Sequence, residues 1–196
     1  MLHLDFAAYL SFCFAMSFTP GPNNLMAMAL SRKLGFRGVL PFLVGLHVSL
    51  FTVCTLTFLF IQSLQAVMPH IEIPLKAVGS TYMLFLTYKL FKTRRGTRLT
   101  PDAKGRLFFS GLLLNLTNVK VALTDFIGYT SFILPAGYPP LASWLLGLCI
   151  YLFCSAANFT WAFGGTFLDR FFASHERAIS CVLAAMLIYC AVRIWL

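Results

Sequence analysis

Thr19-Pro20-Gly21-Pro22-Asn23-Asn24 is a polar, helix-breaking hexapeptide inside an otherwise apolar run from Leu4 to Leu30. As continuous helix that run would span roughly 40 Å at ~1.5 Å per residue, against a bilayer hydrocarbon core of about 30 Å. Two prolines and a glycine should stop the helix and restart it. Irregular backbone at membrane depth survives only where protein or a water-filled cavity satisfies its polar groups. An interrupted helix is therefore the sequence pointer to a transporter's substrate site.

The rest of the chain fits a bilayer. It is 59% hydrophobic and 11% charged, with a mean hydropathy of +0.82. Ordinary soluble domains carry about 25% charged residues, so that class is excluded. Six apolar spans can be drawn, at about 4–30, 39–61, 73–91, 107–134, 141–168 and 179–196. Each is long enough to cross as a helix. The expected fold is an all-α integral membrane protein of six transmembrane helices, a single domain over 1–196. The start, Met1-Leu2-His3-Leu4-Asp5, lacks the positive n-region of a cleaved signal, so the first span is expected to be retained.

The net charge of +9 is unevenly spread. Arg32, Lys33 and Arg37 follow the first span. Lys92, Arg94, Arg95, Arg98, Lys104 and Arg106 follow the third, and Arg170 and Arg177 the fifth. The other loops, around His70–Glu72 and Pro135–Pro140, have no Lys or Arg. The positive-inside rule places the first, third and fifth loops in the cytoplasm and both termini in the periplasm. The basic clusters read as topology signals with some pull on anionic lipid, not as a nucleic-acid surface.

The basic loop 92–106 divides the chain into halves of about 1–91 and 107–196. Three spans per half is the geometry of a 3+3 inverted repeat. The positions match: the first break lies deep in span one, and Asn115-Leu116-Thr117-Asn118-Val119-Lys120 lies deep in span four. Asn115, Asn118 and Asp125 share one face of an ideal helix, whereas Lys120 is about 200° from Asn118. A Lys or Asp near the midplane costs about 2.5–3.5 kcal/mol on insertion scales. Such groups are paired, cavity-facing or functional. In span one, Gly21 is placed as an N-cap and Pro22 as the first residue of a restarted half-helix. The amides of Asn23, Asn24 and Leu25 are then unpaired and suited to a carboxylate.

The candidate substrate-binding residues are Thr19, Pro20, Gly21, Pro22, Asn23, Asn24, Asn115, Asn118, Lys120 and Asp125. Half-helix amides and Lys120 would take a carboxylate; Asp125 and the Asn side chains would take an ammonium. Asp125 and His47 are the candidates for proton coupling. Asn158 could contact substrate but reads more readily as helix–helix glue. Gly45, Gly79, Gly147, Gly164 and Gly165 are placed at close helix approaches, and Trp144 and Trp161 in interfacial belts. The cysteines form neither C-x-x-C nor a zinc spacing, so no metal and no cofactor is expected.

The hexapeptide in the first span, Asn118-Val119-Lys120 in the fourth, the six-span layout and the ending Tyr189-Cys190-Ala191-Val192-Arg193-Ile194 resemble the lysine-exporter superfamily, in its RhtB-type branch. The resemblance covers essentially the whole chain. It implies a bacterial inner-membrane exporter of small neutral amino acids or derivatives, of the cysteine and O-acetylserine kind, driven by the proton gradient. The family's fourth-span motif is usually N-P-K. Val119 stands in the proline's place here, which weakens the expectation of a sharp break in span four.

Other functions compete. A thiol–disulfide electron carrier needs two cysteines that meet; span one has Cys13, but span four has none. A hydrolase is disfavoured by the lack of H-E-x-x-H and G-x-S-x-G, and no enzyme is expected. A channel is separated from a carrier by flux, not by sequence. So much lipid-facing surface on a small protein also suits a homodimer.

Overall fold

The computed structural model describes residues 4–92 and 101–171 and isolated helical positions between 178 and 192. Arg94, Arg95, Arg98, Arg177 and most of the sixth apolar span lie outside the described residues. The described chain is helical, without strands.

Helix α1, Phe6–Phe18, starts at Asp5, whose side chain accepts from the Ala8 amide at 3.0 Å. It stops at Thr19, which has left helical space (φ −57°, ψ 136°), as the residue before a proline must. Helix α2, Pro22–Lys92, begins with Pro22 at the first helical position. The Leu25 amide donates to the Gly21 carbonyl at 2.9 Å. This is the anticipated N-cap, but it removes Leu25 from the unpaired amides.

Two features of α2 differ from expectation. Between spans one and two the chain makes no extended loop. It turns at Gly35 (φ 73°, ψ 167°), a backbone conformation open to glycine and strained for other residues. Arg32 and Lys33, read as loop charges, are only 5% and 8% exposed. The helix also continues through 62–72, where the charge pattern predicts a loop around His70–Glu72. The preceding Gln62, Leu64, Gln65, Ala66 and Met68 are good helix formers, and a proline such as Pro69 kinks a helix without necessarily ending it.

Helix α3, Pro101–Leu116, and helix α4, Val119–Ile127, form one span bent by 50°. A π-turn, Gly128–Ile133, and a 3-10 turn, Leu134–Ala136, lead to Gly137 (φ 67°), and helix α5, Pro140–Phe171, follows. Among the described residues, Pro22–Ile61 and Pro140–Phe167 are each long and apolar enough to cross a membrane, and the bent pair makes a third.

Helix α2 packs mainly against α3 and α5. Its seam with α3 is reciprocal: a Cβ on Gly45 would strike the Phe108 carbonyl, and one on Gly111 the Phe42 carbonyl. The small-residue reading thus holds at Gly45, at Gly147 (against Tyr129) and at Gly165 (against Met28), and extends to the unanticipated Gly111. Gly164 meets nothing within 4 Å. The Gly79 side lies outside the described residues.

Apolar burial falls into two clusters. Leu25, Met26 and Leu30 pack with Phe42, Leu46, Leu114 and Ala162. Tyr9 and Cys13 pack with Ile61, Tyr129, Ile133 and Ile150. The first joins residues after the break in span one to residues before the break in span four. The second joins the opposite segments. Polar backbone at the two breaks therefore lies between two apolar blocks.

Candidate substrate site at two meeting helix breaks

The break in span four exists without a proline. Asn118 leaves helical space (φ −85°, ψ 97°), and its side-chain oxygen accepts from the Lys120 amide at 3.1 Å. An Asn N-cap restarts the helix as effectively as a proline interrupts it. Val119 takes the first helical position, equivalent to that of Pro22 in span one.

The two breaks are joined by side-chain amides. Asn23 Nδ2 donates to Asn115 Oδ1 at 2.7 Å, and Asn118 Nδ2 donates to Asn23 Oδ1 at 2.9 Å. Asn115 Nδ2 then donates to the Ser49 hydroxyl at 3.0 Å. These asparagines are almost fully buried, so each missing bond would leave a desolvated polar group.

The carbonyl end of α1 is satisfied from three directions. Asn24 Nδ2 donates to the Ser17 carbonyl at 2.8 Å and to that of Thr19 at 3.2 Å. Trp161 Nε1 donates to the Phe18 carbonyl at 3.3 Å, an internal bond beyond the belt position expected for its ring. Lys120 Nζ donates to the Thr19 carbonyl at 2.8 Å. Lys120 lies against Gly21: a Cβ there would stand 3.1 Å from its Cδ and 3.2 Å from its Nζ. The bend resets the helical register, so Lys120 turns to the same cavity as Asn118, contrary to the ideal-helix projection.

That cavity is lined by Met16 and Ser17 of α1, Gly21, Asn23 and Asn24, Asn118, Lys120, Val121 and Thr124 of the bent span, and Cys154 and Asn158 of α5. It has about 30 Å³ for the centres of water-sized molecules, room for one or two waters. Of the sequence candidates, Gly21, Asn23, Asn24, Asn118 and Lys120 line it. Asn115 supports it through Asn23, and Thr19 through its carbonyl. Pro20 is exposed, and Pro22 shapes the break.

Asp125 lies behind the cavity wall. It is 0% exposed, and neither carboxylate oxygen has a hydrogen-bond partner. It is not bonded to Lys120. His47 stands apart, in a groove between α2 and α5. Its Nδ1 lies 2.5 Å from the Leu43 carbonyl, and its ring stacks on Phe159 at 4.9 Å. The residues not anticipated are Ser17, Thr124 and Cys154. Each reads as an ordinary small residue in an apolar span; the bend brings Thr124 to the cavity, and helix packing brings Ser17 and Cys154. Asn158, assigned to helix glue, also faces the cavity at 2% exposure.

Paired half-helix ends around a small polar cavity, between apolar blocks, are the arrangement of a membrane transport protein. The chain belongs to the LysE-type translocator family, whose model matches residues 14–196. It is a translocator and not an enzyme. It is 30% identical over 190 residues to a cysteine/O-acetylserine efflux protein of Klebsiella pneumoniae, covering 96% of this chain and 95% of that protein. It is likewise 30% identical over 192 residues to the protein of that name from Salmonella typhi, covering 96% of each. No solved structure matches.

Proposed function

We propose that the chain exports small neutral amino acids or derivatives, of the cysteine and O-acetylserine kind, across the bacterial inner membrane in exchange for protons. The observation that carries this reading is the meeting of the two breaks. Asn23, Asn115 and Asn118 lock them together, and Lys120 of one reaches the Thr19 carbonyl of the other. Such a site offers helix N-termini and a cation to a carboxylate, and helix C-terminal carbonyls to an ammonium.

The six-helix layout and the inverted repeat belong to the same proposal. Their support is the reciprocal packing of the segments before and after each break. The termini lie in the periplasm and the 92–106 loop in the cytoplasm. A homodimer would cover part of the exposed apolar surface.

Asp125 carries the coupling proton. An unpaired carboxylate in an apolar interior is costly while charged, and binding a proton removes that cost. Its neighbour Thr124 lines the cavity, so a modest turn of α4 would bring the carboxyl into it.

Counterflow in proteoliposomes tests the reading. A panel of amino acids is offered with and without a pH gradient. Saturable exchange of small neutral amino acids, accelerated by the gradient, is expected. Non-saturating flux would make the protein a channel, and no amino-acid flux would overturn the proposal.

A further inference from the structure

We propose that the Thr19 carbonyl, at the C-terminal end of α1, is the subsite for the substrate's ammonium, and that Lys120 leaves it for the substrate's carboxylate on binding. This rests on reading the cavity as the substrate site.

An ammonium already sits at this carbonyl, and it is the protein's own: Lys120 Nζ at 2.8 Å. The position suits a cation for two reasons. It is the negative end of the α1 dipole, and it is the last carbonyl before the break, left without an intrahelical partner. Gly21 provides the crevice in which the Lys120 stem lies, with its Nζ 3.2 Å from where a Cβ would be. A second observation points to a ligand. Asn158 is 2% exposed and lines the cavity, and among the described residues none hydrogen-bonds its carboxamide. Thr19 is not itself part of the cavity lining; its carbonyl is reached at the edge through Lys120, which is. Asp125, the sequence candidate for the ammonium, is instead fully buried, and its carboxylate has no hydrogen bond to any lining residue.

The two helix N-termini, at Gly21–Asn23 and Asn118–Lys120, are the sites for the opposite charge. A zwitterion placed with its carboxylate there presents its ammonium to Thr19. Lys120 cannot then stay where it is, because two ammonium groups would share one carbonyl. Its flexible stem lets the compact charge swing to the carboxylate. The swap conserves charge pairing: one ammonium replaces another at Thr19, and the displaced one gains a carboxylate.

The prediction is a change of opposite sign for probes with and without a carboxylate. L-Cysteine, its decarboxylated amine cysteamine, and the deaminated acid mercaptopropionate are titrated calorimetrically against purified protein under reducing conditions. In wild type, cysteamine should bind more weakly than L-cysteine, because it must displace Lys120 without offering a carboxylate. In Lys120→Met, L-cysteine and mercaptopropionate should lose about tenfold or more, the scale of one charge-assisted contact. Cysteamine should gain severalfold, because its competitor is gone. Lys120→Gln, which retains a neutral donor, should show the same signs and serves if the methionine variant fails to fold. Cysteamine affinity that is unchanged or falls in the folded variant overturns the subsite while leaving the cavity as the substrate site. Wild-type protein that binds none of the three overturns the cavity reading and the subsite with it.

Discussion

Each of the three bridging asparagines is a donor and an acceptor at once, which makes them poor candidates for substitution. Asn23 accepts from Asn118 and donates to Asn115. Asn23→Ala should cost about 1–3 kcal/mol for each buried partner left unsatisfied, visible as a lowered unfolding temperature in detergent. Asn23→Asp should be at least as damaging, since a carboxylate would face the Asn115 oxygen. Gly21→Leu has a different signature: it evicts the Lys120 stem without disturbing the asparagines. It should insert and purify normally yet lose counterflow; wild-type counterflow would count against Lys120 as a site residue. Asp125→Asn should keep counterflow and lose its acceleration by a pH gradient. A preserved gradient effect would remove Asp125 from the coupling step.

Among the elements, the break in span four shows where sequence reading succeeds and where it stops. The span-one break was legible because Pro20, Gly21 and Pro22 act on the chain locally, through missing donors and fixed φ. The span-four break rests on a single asparagine side chain capping the Lys120 amide. An Asn in an apolar span does not announce whether it caps, bonds a neighbour or binds a ligand. Once that bend is unknown, the ideal-helix projection misplaces Lys120 and misses Thr124, because both depend on a register reset after Thr117. Cys154 was hidden, and Asn158 ranked as helix glue ahead of a substrate contact, for another reason: only tertiary packing sets which face of α5 meets the breaks. Because the break stands without a proline, Val119→Pro should be tolerated, as proline fits the first helical position. Transport and thermal stability should stay near wild type; a collapse of either would mean that Val119 packing, not capping, holds the bend. The α2–α3 seam predicts the reverse. Gly111→Ala drives a Cβ into a backbone carbonyl and should abolish recovery of folded protein, whereas Gly164→Ala, with nothing within 4 Å, should be neutral.

Over the whole molecule, the charge asymmetry and the packing make separate claims. The asymmetry predicts a cytoplasmic 92–106 loop, so an impermeant thiol reagent outside intact cells should fail to label Thr97→Cys in a cysteine-free background. Ready labelling would invert the topology. The packing bears on the repeat. Helix α2 runs on through 62–72, and its part beyond Gly35 would reach ~85 Å if straight, far beyond a ~30 Å core. Six crossings therefore require the chain to reverse near His70. In the same background, His70→Cys should be labelled from outside; protection there would leave fewer than six crossings.

The smallness of the cavity has a consequence for the cell's energy supply. A site of about 30 Å³ holds one or two waters, with an apolar block on either side. Among the described residues, that cavity by itself holds too few waters to form a file across the bilayer, so it offers protons no wire along which to hop. A translocator resident in an energised membrane must be insulating whenever it is not turning over. Here the insulation comes from the same two blocks that hold the breaks together.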